Sequence, residues 1–321
     1  MIRVIVPGLM TTVQDRGRWG RQSLGVPVAG PMDPYAHRMA NALVGNEVGA
    51  ATLEATLGGP ELAFDDERIV AVAGAAFELT LDGRRVSMHE PFVAPAGSRL
   101  AFGRRLRGAR AYVAVSGGID VPLMLGSRAT HVTSRMGGLD GRPLRTGDRL
   151  PLGKRGRESF SSTSRDSRAV RQIVVEKTPV PFSEEVAIIR VLPGPQMADF
   201  ADDALAILQS AAYRVGAQSD RMGFRLEGPR LVHARAAETI SDATPLGALQ
   251  VPASGQPILL MADRPTTGGY PKIATVITAD VGVAGQLAPG DALRFVACSM
   301  RDALSALIAR ERPLTTLEGV A

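Results

Sequence analysis

The residues whose types and spacing are best suited to chemistry lie at positions 263–275, in the stretch Asp-Arg-Pro-Thr-Thr-Gly-Gly-Tyr-Pro-Lys-Ile-Ala-Thr. Its two glycines, Gly268 and Gly269, allow positive φ angles and let a ligand approach the backbone N–H groups closely. Four side chains can donate hydrogen bonds to a carboxylate, phosphate or carbonyl oxygen: Thr266, Thr267, Tyr270 and Lys272. The pattern predicts an oxyanion-binding turn; the alternative is an ordinary Gly-Gly hairpin whose polar side chains face water.

Strand-like segments must position this turn. Apolar runs at 258–262 and 273–277 flank it, so it is predicted to join two β-strands. Short apolar runs separated by Gly, Pro and Asp also fill residues 53–114, and Asp82-Gly83 predicts a hairpin turn among them. These patterns predict a mainly β protein with a few helices.

One helix is predicted with both of its ends. Asp33 can cap it, Pro34 suits the first helical position, and Gly45 can close it. We expect His37 and Arg38 to lie on its outer side.

The remaining composition divides the chain into segments. We predict a first β domain over 1–152, a Ser/Arg-rich linker and crossover over 153–185, and a second β domain over 186–299. A helix is predicted at about 199–209, and a C-terminal helix and tail occupy 300–321, with the helix ended by Pro313.

The two halves share short anchors in the same order, which indicates a duplicated β fold. Pro7-Gly8 corresponds to Pro193-Gly194, and Gly147-Asp148 corresponds to Gly290-Asp291. Gly and Pro are abundant here, so chance matches are the alternative.

Charge and composition exclude some classes of protein. The net charge is +5, but the basic residues are scattered and the chain has only nine Phe, four Tyr and one Trp for base stacking. Nucleic-acid binding is therefore not expected. Cys298 is the single cysteine, and the chain shows neither a signal sequence nor a membrane span. We expect a cytoplasmic protein.

Several familiar catalytic motifs are absent from the sequence. It has no Gly-x-x-x-x-Gly-Lys-Ser/Thr phosphate loop, no Gly-x-Ser-x-Gly elbow and no His-Glu-x-x-His. Its four histidines show no metal-ligand spacing, so no metal site is predicted. A Met-Lys-Met biotin-attachment tripeptide is also missing, so any biotin would be carried by another chain.

What remains is catalysis by polar positioning of a small amide or carboxylate. Lys272 or Arg221 could stabilise developing negative charge, and Asp15, Asp33 or Glu54 could act as a general base. Helix capping explains Asp33 fully. Glu54 is either a buried carboxylate with a functional role or a simple strand-edge residue.

With these stretches in view, the chain resembles the family of allophanate hydrolase subunit 2, also known as the C subunit of 5-oxoprolinase. The resemblance extends from about residue 4 to 307. It is carried by an ordered set of motifs: Thr-Val-Gln-Asp at 12–15, Gly-Pro-Met-Asp-Pro at 30–34, Ala-Asn-Ala-Leu-Val-Gly-Asn at 40–46, Leu-Glu at 53–54, Gly-Gly-Ile-Asp-Val-Pro at 117–122, Gln-Ser-Asp-Arg-Met-Gly at 218–223 and Thr-Thr-Gly-Gly-Tyr-Pro at 266–271.

The resemblance implies two cyclophilin-like β-barrel domains related by duplication. It also implies partnership with a smaller related subunit (B type) and a third subunit (A type) in the ATP-dependent conversion of 5-oxoproline to glutamate. ATP is then expected on or with the partner subunits. The alternatives are the carboxyltransferase component of a biotin-dependent urea carboxylase or allophanate-type system, and a regulatory binder of the smaller subunit that antagonises a kinase inhibitor.

On the enzyme hypothesis the expected residues fall into two groups. The catalytic group comprises Lys272, Tyr270, Glu54 and Asp15. The substrate-binding group comprises Thr266, Thr267, Gly268, Gly269, Arg221, Gln218, Ser219 and Asn41.

Overall fold

A computed structural model describes residues 1–154 and 186–320, with side chains as far as residue 317. The chain forms two compact units. The first contains Met1–Arg18, Ala29–Pro179 and Glu311–Ala321, and the second contains Trp19–Val28 and Val180–Arg310. The predicted linker over 153–185 lies, from residue 155 onward, outside the described residues.

Among the described residues, nine strands belong to the first unit: β1 (Ile2–Val6), β2 (Met10–Gln14), β3 (Thr52–Thr56), β4 (Glu61–Phe64), β5 (Arg68–Leu81), β6 (Arg84–Val86), β7 (Phe92–Ala94), β8 (Arg99–Val115) and β9 (Arg149–Leu150). Nine belong to the second: β10 (Val186–Pro193), β11 (Tyr213–Val215), β12 (Gly223–Glu227), β13 (Asp242–Ala243), β14 (Ala248–Gln250), β15 (Ile258–Leu260), β16 (Thr267–Gly268), β17 (Lys272–Val276) and β18 (Ala292–Ala297). The described α-helices are α1 (Pro34–Leu43), α2 (Ala204–Ser210), α3 (Thr278–Gly285) and α4 (Met300–Val320).

The first unit is a nine-stranded half-barrel sheet in which β2, β3, β8, β4, β1 and β9 are neighbours in that order. The long strands β5 and β8 pair antiparallel, and β5 also pairs with β6 and β7. One row across the sheet, formed by Val13, Leu53, Val113 and Val72, is apolar and buried in the core. Apolar side chains here follow the period of two that a half-buried strand requires.

The next row of the same strands faces the opposite side, because side chains alternate along a strand. It contains Thr12, Glu54 and Tyr112, which are cross-strand neighbours. Tyr112 packs in an apolar cluster with α1 residues such as Met39 and Ala40. The sheet therefore presents a buried polar row on the side where α1 packs.

Helix α1 begins as predicted. Oδ1 of Asp33 accepts a hydrogen bond from the N–H of Ala36 at 3.1 Å, with Pro34 at the first helical position. The prediction that His37 lies on the outer side is wrong, because its exposure is 0%. Its Nε2 lies 3.2 Å from the carbonyl oxygen of Gln14 in β2, on the sheet side of the helix.

The second unit is a closed seven-stranded barrel in the order β10-β17-β14-β15-β12-β11-β18. Parallel pairing between β10 and β18, from Val186 opposite Ala292 to Val191 opposite Ala297, closes it. In the first unit the pair β1 and β9, at one end of the strand order, is antiparallel. The predicted mainly β fold is confirmed: the first unit is a half-barrel sheet and the second a closed barrel.

Two local predictions had opposite outcomes. The Asp82-Gly83 turn joins β5 to β6 with φ angles of 49° and 78°, as a two-residue hairpin requires. The predicted end of the last helix at Pro313 is wrong, since α4 continues to residue 320 with Pro313 inside it. Leu314 and Leu317 follow Pro313 and are buried, and their burial offsets the loss of the backbone hydrogen bond that the proline removes.

No helix in the described part of the chain has the length and apolar character needed to cross a membrane.

Asp33→Ala should lower the free energy of unfolding by about 1 kcal/mol, because the first turn of α1 loses a hydrogen-bond acceptor. Asp203→Ala is the matched control, since Asp203 precedes α2 and its side chain makes no capping hydrogen bond. Urea unfolding followed by far-ultraviolet circular dichroism compares the two variants. Equal losses would contradict the assigned cap.

Candidate functional site

The turn identified from the sequence lies in the second unit, immediately before the first residue of β17. Thr267 and Gly268 form β16, which pairs with Asp242 and Ala243 of β13 in a two-stranded ribbon outside the barrel sheet. Thr267 and Tyr270 are exposed. Five of the predicted residues, Thr266 to Tyr270, therefore lie on the ribbon strand β16 and on the residues next to it, just before β17.

Lys272 opens β17 and is almost completely withdrawn from water. Its side chain is 2% exposed, and its Nζ lies 3.1 Å from Oδ2 of Asp242, whose side chain is 54% exposed. The hydrogen bond from Lys272 holds the pKa of Asp242 below its usual value. The backbone N–H of Lys272 donates to Oε1 of Gln196 at 3.1 Å.

The glycines of the turn do not use the conformational freedom that glycine allows. Neither Gly268 nor Gly269 lies in the left-handed region. A Cβ on Gly268 would lie 2.5 Å from Nε2 of Gln250, which donates to the carbonyl oxygen of Tyr270 at 3.3 Å. At position 268 any side chain would displace the amide of Gln250, which packs against the backbone here.

Arg221 forms a bidentate ion pair with Asp263. Nε and Nη2 of Arg221 each lie 2.9 Å from an oxygen of Asp263, and both side chains are buried, at 5% and 7% exposure. Gln218 is exposed, and the half-buried Ser219 accepts a hydrogen bond from the N–H of Arg225 at 3.1 Å. The 218–223 motif is thus fastened to the start of the 263–275 stretch by a fixed charge pair.

Glu54 lies in the first unit, in the polar row beneath α1. Its Oε2 accepts hydrogen bonds from the N–H of Met32 at 2.9 Å and from the hydroxyl of Tyr112 at 2.7 Å. Because β3 lies between β2 and β8, Glu54 is a buried carboxylate rather than a strand-edge residue. Burial raises the pKa of Tyr112 well above its usual value, with the neighbouring Glu54 carboxylate acting in the same direction.

The other two candidates of the first unit are bound into its loops. Asp15 accepts hydrogen bonds from Gly17 N–H at 2.9 Å, from Ser127 Oγ at 2.5 Å and from Arg128 N–H at 2.5 Å. Asn41 donates to the carbonyl oxygen of Ala50 at 2.8 Å. Both residues therefore hold loops against the sheet in this structure.

His37 of α1 packs edge-on against Tyr112 of the polar row, with the two ring centroids 6.0 Å apart. Complete burial lowers its pKa from 6.5 to about 4, although the carboxylates of Asp15 and Glu54 act in the opposite direction. At neutral pH its imidazole is uncharged.

Sequence reasoning missed the polar side chains that surround the turn. Gln196 and Asp242 contact Lys272 from 76 and 30 residues away in the sequence. Gln250 reaches Tyr270 across 20 residues. No local spacing indicates such contacts, because the tertiary fold brings these residues together from separate segments: Asp242 from the ribbon strand β13, and Gln196 from the segment after β10. Within residues 1–154 and 186–320, no group of three or more His, Cys, Asp or Glu side chains could hold a metal ion.

Comparison with known proteins decides the family. A family model described as carboxyltransferase domain, subdomain A and B, matches residues 24–297. The chain belongs to the carboxyltransferase domain family. Relatives of this carboxyltransferase-family chain include the C subunit of 5-oxoprolinase from Escherichia coli, 40% identical over 306 residues that cover 95% of the chain and 94% of the relative. The Haemophilus influenzae protein of the same name is 35% identical over 303 residues, covering 94% and 93%.

Solved structures of the carboxyltransferase family agree with this assignment. The urea amidolyase of K. lactis matches 98% of the chain with a TM-score of 0.89 and 31% identity. The chain spans 20% of that larger protein. The family expected from the motifs is therefore confirmed.

Stability should depend on pH through His37. The unfolded state takes up a proton near pH 6.5 and the folded state only near pH 4, so the free energy of unfolding should fall as the pH decreases between these values. The loss should reach about 3 kcal/mol. His37→Gln should reduce this slope and leave the part that comes from His89, whose pKa burial also lowers, whereas His233→Gln should keep the slope unchanged; unfolding measured across this pH range tests both.

Nuclear magnetic resonance titration of the wild-type imidazoles provides an independent check that does not require a folded variant. A His37 resonance that titrates near 6.5 would contradict the assigned burial effect.

Proposed function

We propose that this chain is the C subunit of an ATP-dependent 5-oxoprolinase, which opens 5-oxoproline to glutamate together with partner subunits. The observation that carries the proposal is the 40% identity with the Escherichia coli protein of that name over nearly the whole length of both chains. In the reaction the lactam C–N bond breaks, water supplies the oxygen of the new carboxylate, and the nitrogen gains a proton. ATP hydrolysis supplies the driving force.

The second unit supplies the binding chemistry in this proposal. The substrate is a small lactam with a carboxylate, so it needs a cation and hydrogen-bond donors at fixed positions. Lys272 provides the cation, while the exposed Thr267 and Tyr270 provide donors beside it. Arg221 positions the turn through its buried pair with Asp263. We retain Glu54 and Asp15 as candidate acid–base residues of the first unit.

ATP is assigned to the partner subunits, because this sequence has no Gly-x-x-x-x-Gly-Lys-Ser/Thr phosphate loop. Biotin, if it takes part, is also assigned to another chain. Lys272 is buried and ion-paired, so it does not suit covalent attachment.

The partners in this proposal are a smaller related subunit of B type and a third subunit of A type. The word "subunit" in the names of the two bacterial relatives supports assembly with other chains. We place the activity in the cytoplasm, where ATP is available and where a chain whose only cysteine is Cys298 stays reduced.

A second candidate is carboxyl transfer to urea. The specific observation in its favour is the TM-score of 0.89 with the urea amidolyase of K. lactis. Because the chain spans 20% of that protein, the remaining steps would need other chains. Urea is uncharged and would not use the Lys272 ammonium as an ion-pair partner, which favours the anionic lactam.

The deciding experiment is ATP-dependent glutamate release from 5-oxoproline, with this chain co-expressed with its partner subunits and each component omitted in turn. We expect release only from the complete set. Release without this chain would overturn the proposal. ATP consumption that depends on urea and biotin, with no glutamate formed, would favour the second candidate.

Lys272→Met should reduce kcat/KM for 5-oxoproline about 100-fold in the complete assembly, since a preorganised cation is lost. The protein should still fold, because Asp242 is 54% exposed and stays hydrated without its partner. Lys154→Met is the matched control, since Lys154 is exposed in the first unit. An unchanged kcat/KM for Lys272→Met, measured on protein with a wild-type unfolding profile, would exclude this role.

A further inference from the structure

Two of the buried cations near the turn, Arg221 and Lys272, are neutralised in different ways. Arg221 meets Asp263 through two hydrogen bonds of 2.9 Å, and both partners are buried. Lys272 meets Asp242 through a single contact of 3.1 Å, and only the lysine is buried. A pair whose two members are both desolvated is fixed, because separating it leaves an uncompensated charge in the protein. The Lys272–Asp242 pair lacks that constraint on its carboxylate side.

The position of Asp242 in the fold makes it movable. It lies on β13, a two-residue strand whose partner is β16, and this ribbon is separate from the closed barrel that carries Lys272. The carboxylate also accepts a hydrogen bond from the N–H of Ala243, its neighbour in the sequence. The side chain of Asp242 is already half exposed. Water can therefore solvate its carboxylate when the contact with Lys272 breaks, and the loss of this ion pair costs little free energy.

Gln196 lies at the same site. Its Oε1 accepts the backbone N–H of Lys272 at 3.1 Å, which fixes the side-chain amide in one orientation and leaves its NH2 group as a donor. Gln196 also acts in the same direction as Lys272 on the pKa of Asp242, lowering it. The site therefore combines an ammonium with an amide donor, two groups that suit a small carboxylate ligand.

We propose that Lys272 and Gln196 form a subsite for the carboxylate of the substrate, and that Asp242 occupies this subsite in the free protein and is displaced when the substrate binds. The proposal rests on the proposed function, in which the substrate is an anionic lactam. The buried ammonium is neutralised before and after displacement, so it is never left without an anion. A neutral amide cannot replace Asp242, and this exclusion selects substrates that carry a carboxylate.

Asp242→Asn tests the competition directly, because the amide keeps the size of the side chain and removes its charge. Calorimetric titration of the full chain and of the assembled complex without ATP uses three probes: 5-oxoproline, acetate and the neutral lactam 2-pyrrolidinone. Affinity for 5-oxoproline and acetate should rise about two- to fivefold in Asp242→Asn, the range that release of a partly exposed ion pair allows. Affinity for 2-pyrrolidinone should not change.

Two further variants complete the design. Lys272→Met should abolish acetate binding, and Gln196→Leu should weaken it, while both retain a wild-type unfolding profile. Asp203→Asn is the control, since Asp203 is an exposed aspartate at a helix start in the same unit. It should leave all three affinities unchanged.

Weaker or unchanged binding of 5-oxoproline and acetate by Asp242→Asn would overturn the proposal, as would failure of either carboxylate to bind any form of the protein. These outcomes are separable from the test of the proposed function. Glutamate release with unchanged affinities in Asp242→Asn would reject the subsite and keep the function. Tighter acetate binding in an assembly that releases no glutamate would keep the subsite and reject the function.

Discussion

A charge that leaves water must be compensated inside the protein, and this constraint organises the polar interior of both units. In the first unit the carboxylate of Glu54 accepts hydrogen bonds from a backbone N–H and from the hydroxyl of Tyr112. The second unit uses opposite charges, with Asp263 for Arg221 and Asp242 for Lys272. Each solution fixes the segments that supply its partners. The constraint therefore joins α1 to the half-barrel sheet, and the ribbon to the barrel.

Much of the fold follows from periodicity and turn chemistry in the sequence. Alternating apolar residues indicate the strands, Asp33-Pro34 marks the start of α1, and Asp82-Gly83 marks a hairpin. The side of α1 that His37 occupies could not be inferred, because histidine is polar and its burial depends on a sheet row formed by distant strands. The prediction that the last helix ends at Pro313 was wrong for a similar reason, because Leu314 and Leu317 pack on residues far away in the sequence.

The candidate site shows the same limit. Motif types identify Lys272, Arg221 and the Gly-Gly turn, because their residue types suggest hydrogen bonding to oxyanions. They do not reveal that Arg221 is already neutralised while the partner of Lys272 remains half exposed. That distinction depends on which strand carries each carboxylate and on how much water reaches it. Neither the strand that carries each carboxylate nor its exposure to water can be inferred from the sequence alone.

The closure of the barrel has a consequence for how the chain tolerates shortening. Since β10 and β18 are the first and last strands of the barrel and pair in parallel, the described barrel strands leave no edge strand in this sheet. Removal of β18 would expose the backbone donors and acceptors of β10 and β11 together. Unpaired edges of this kind are templates for intermolecular strand addition. By pairing with β10 and β11, β18 completes the sheet and also prevents intermolecular strand pairing at these edges.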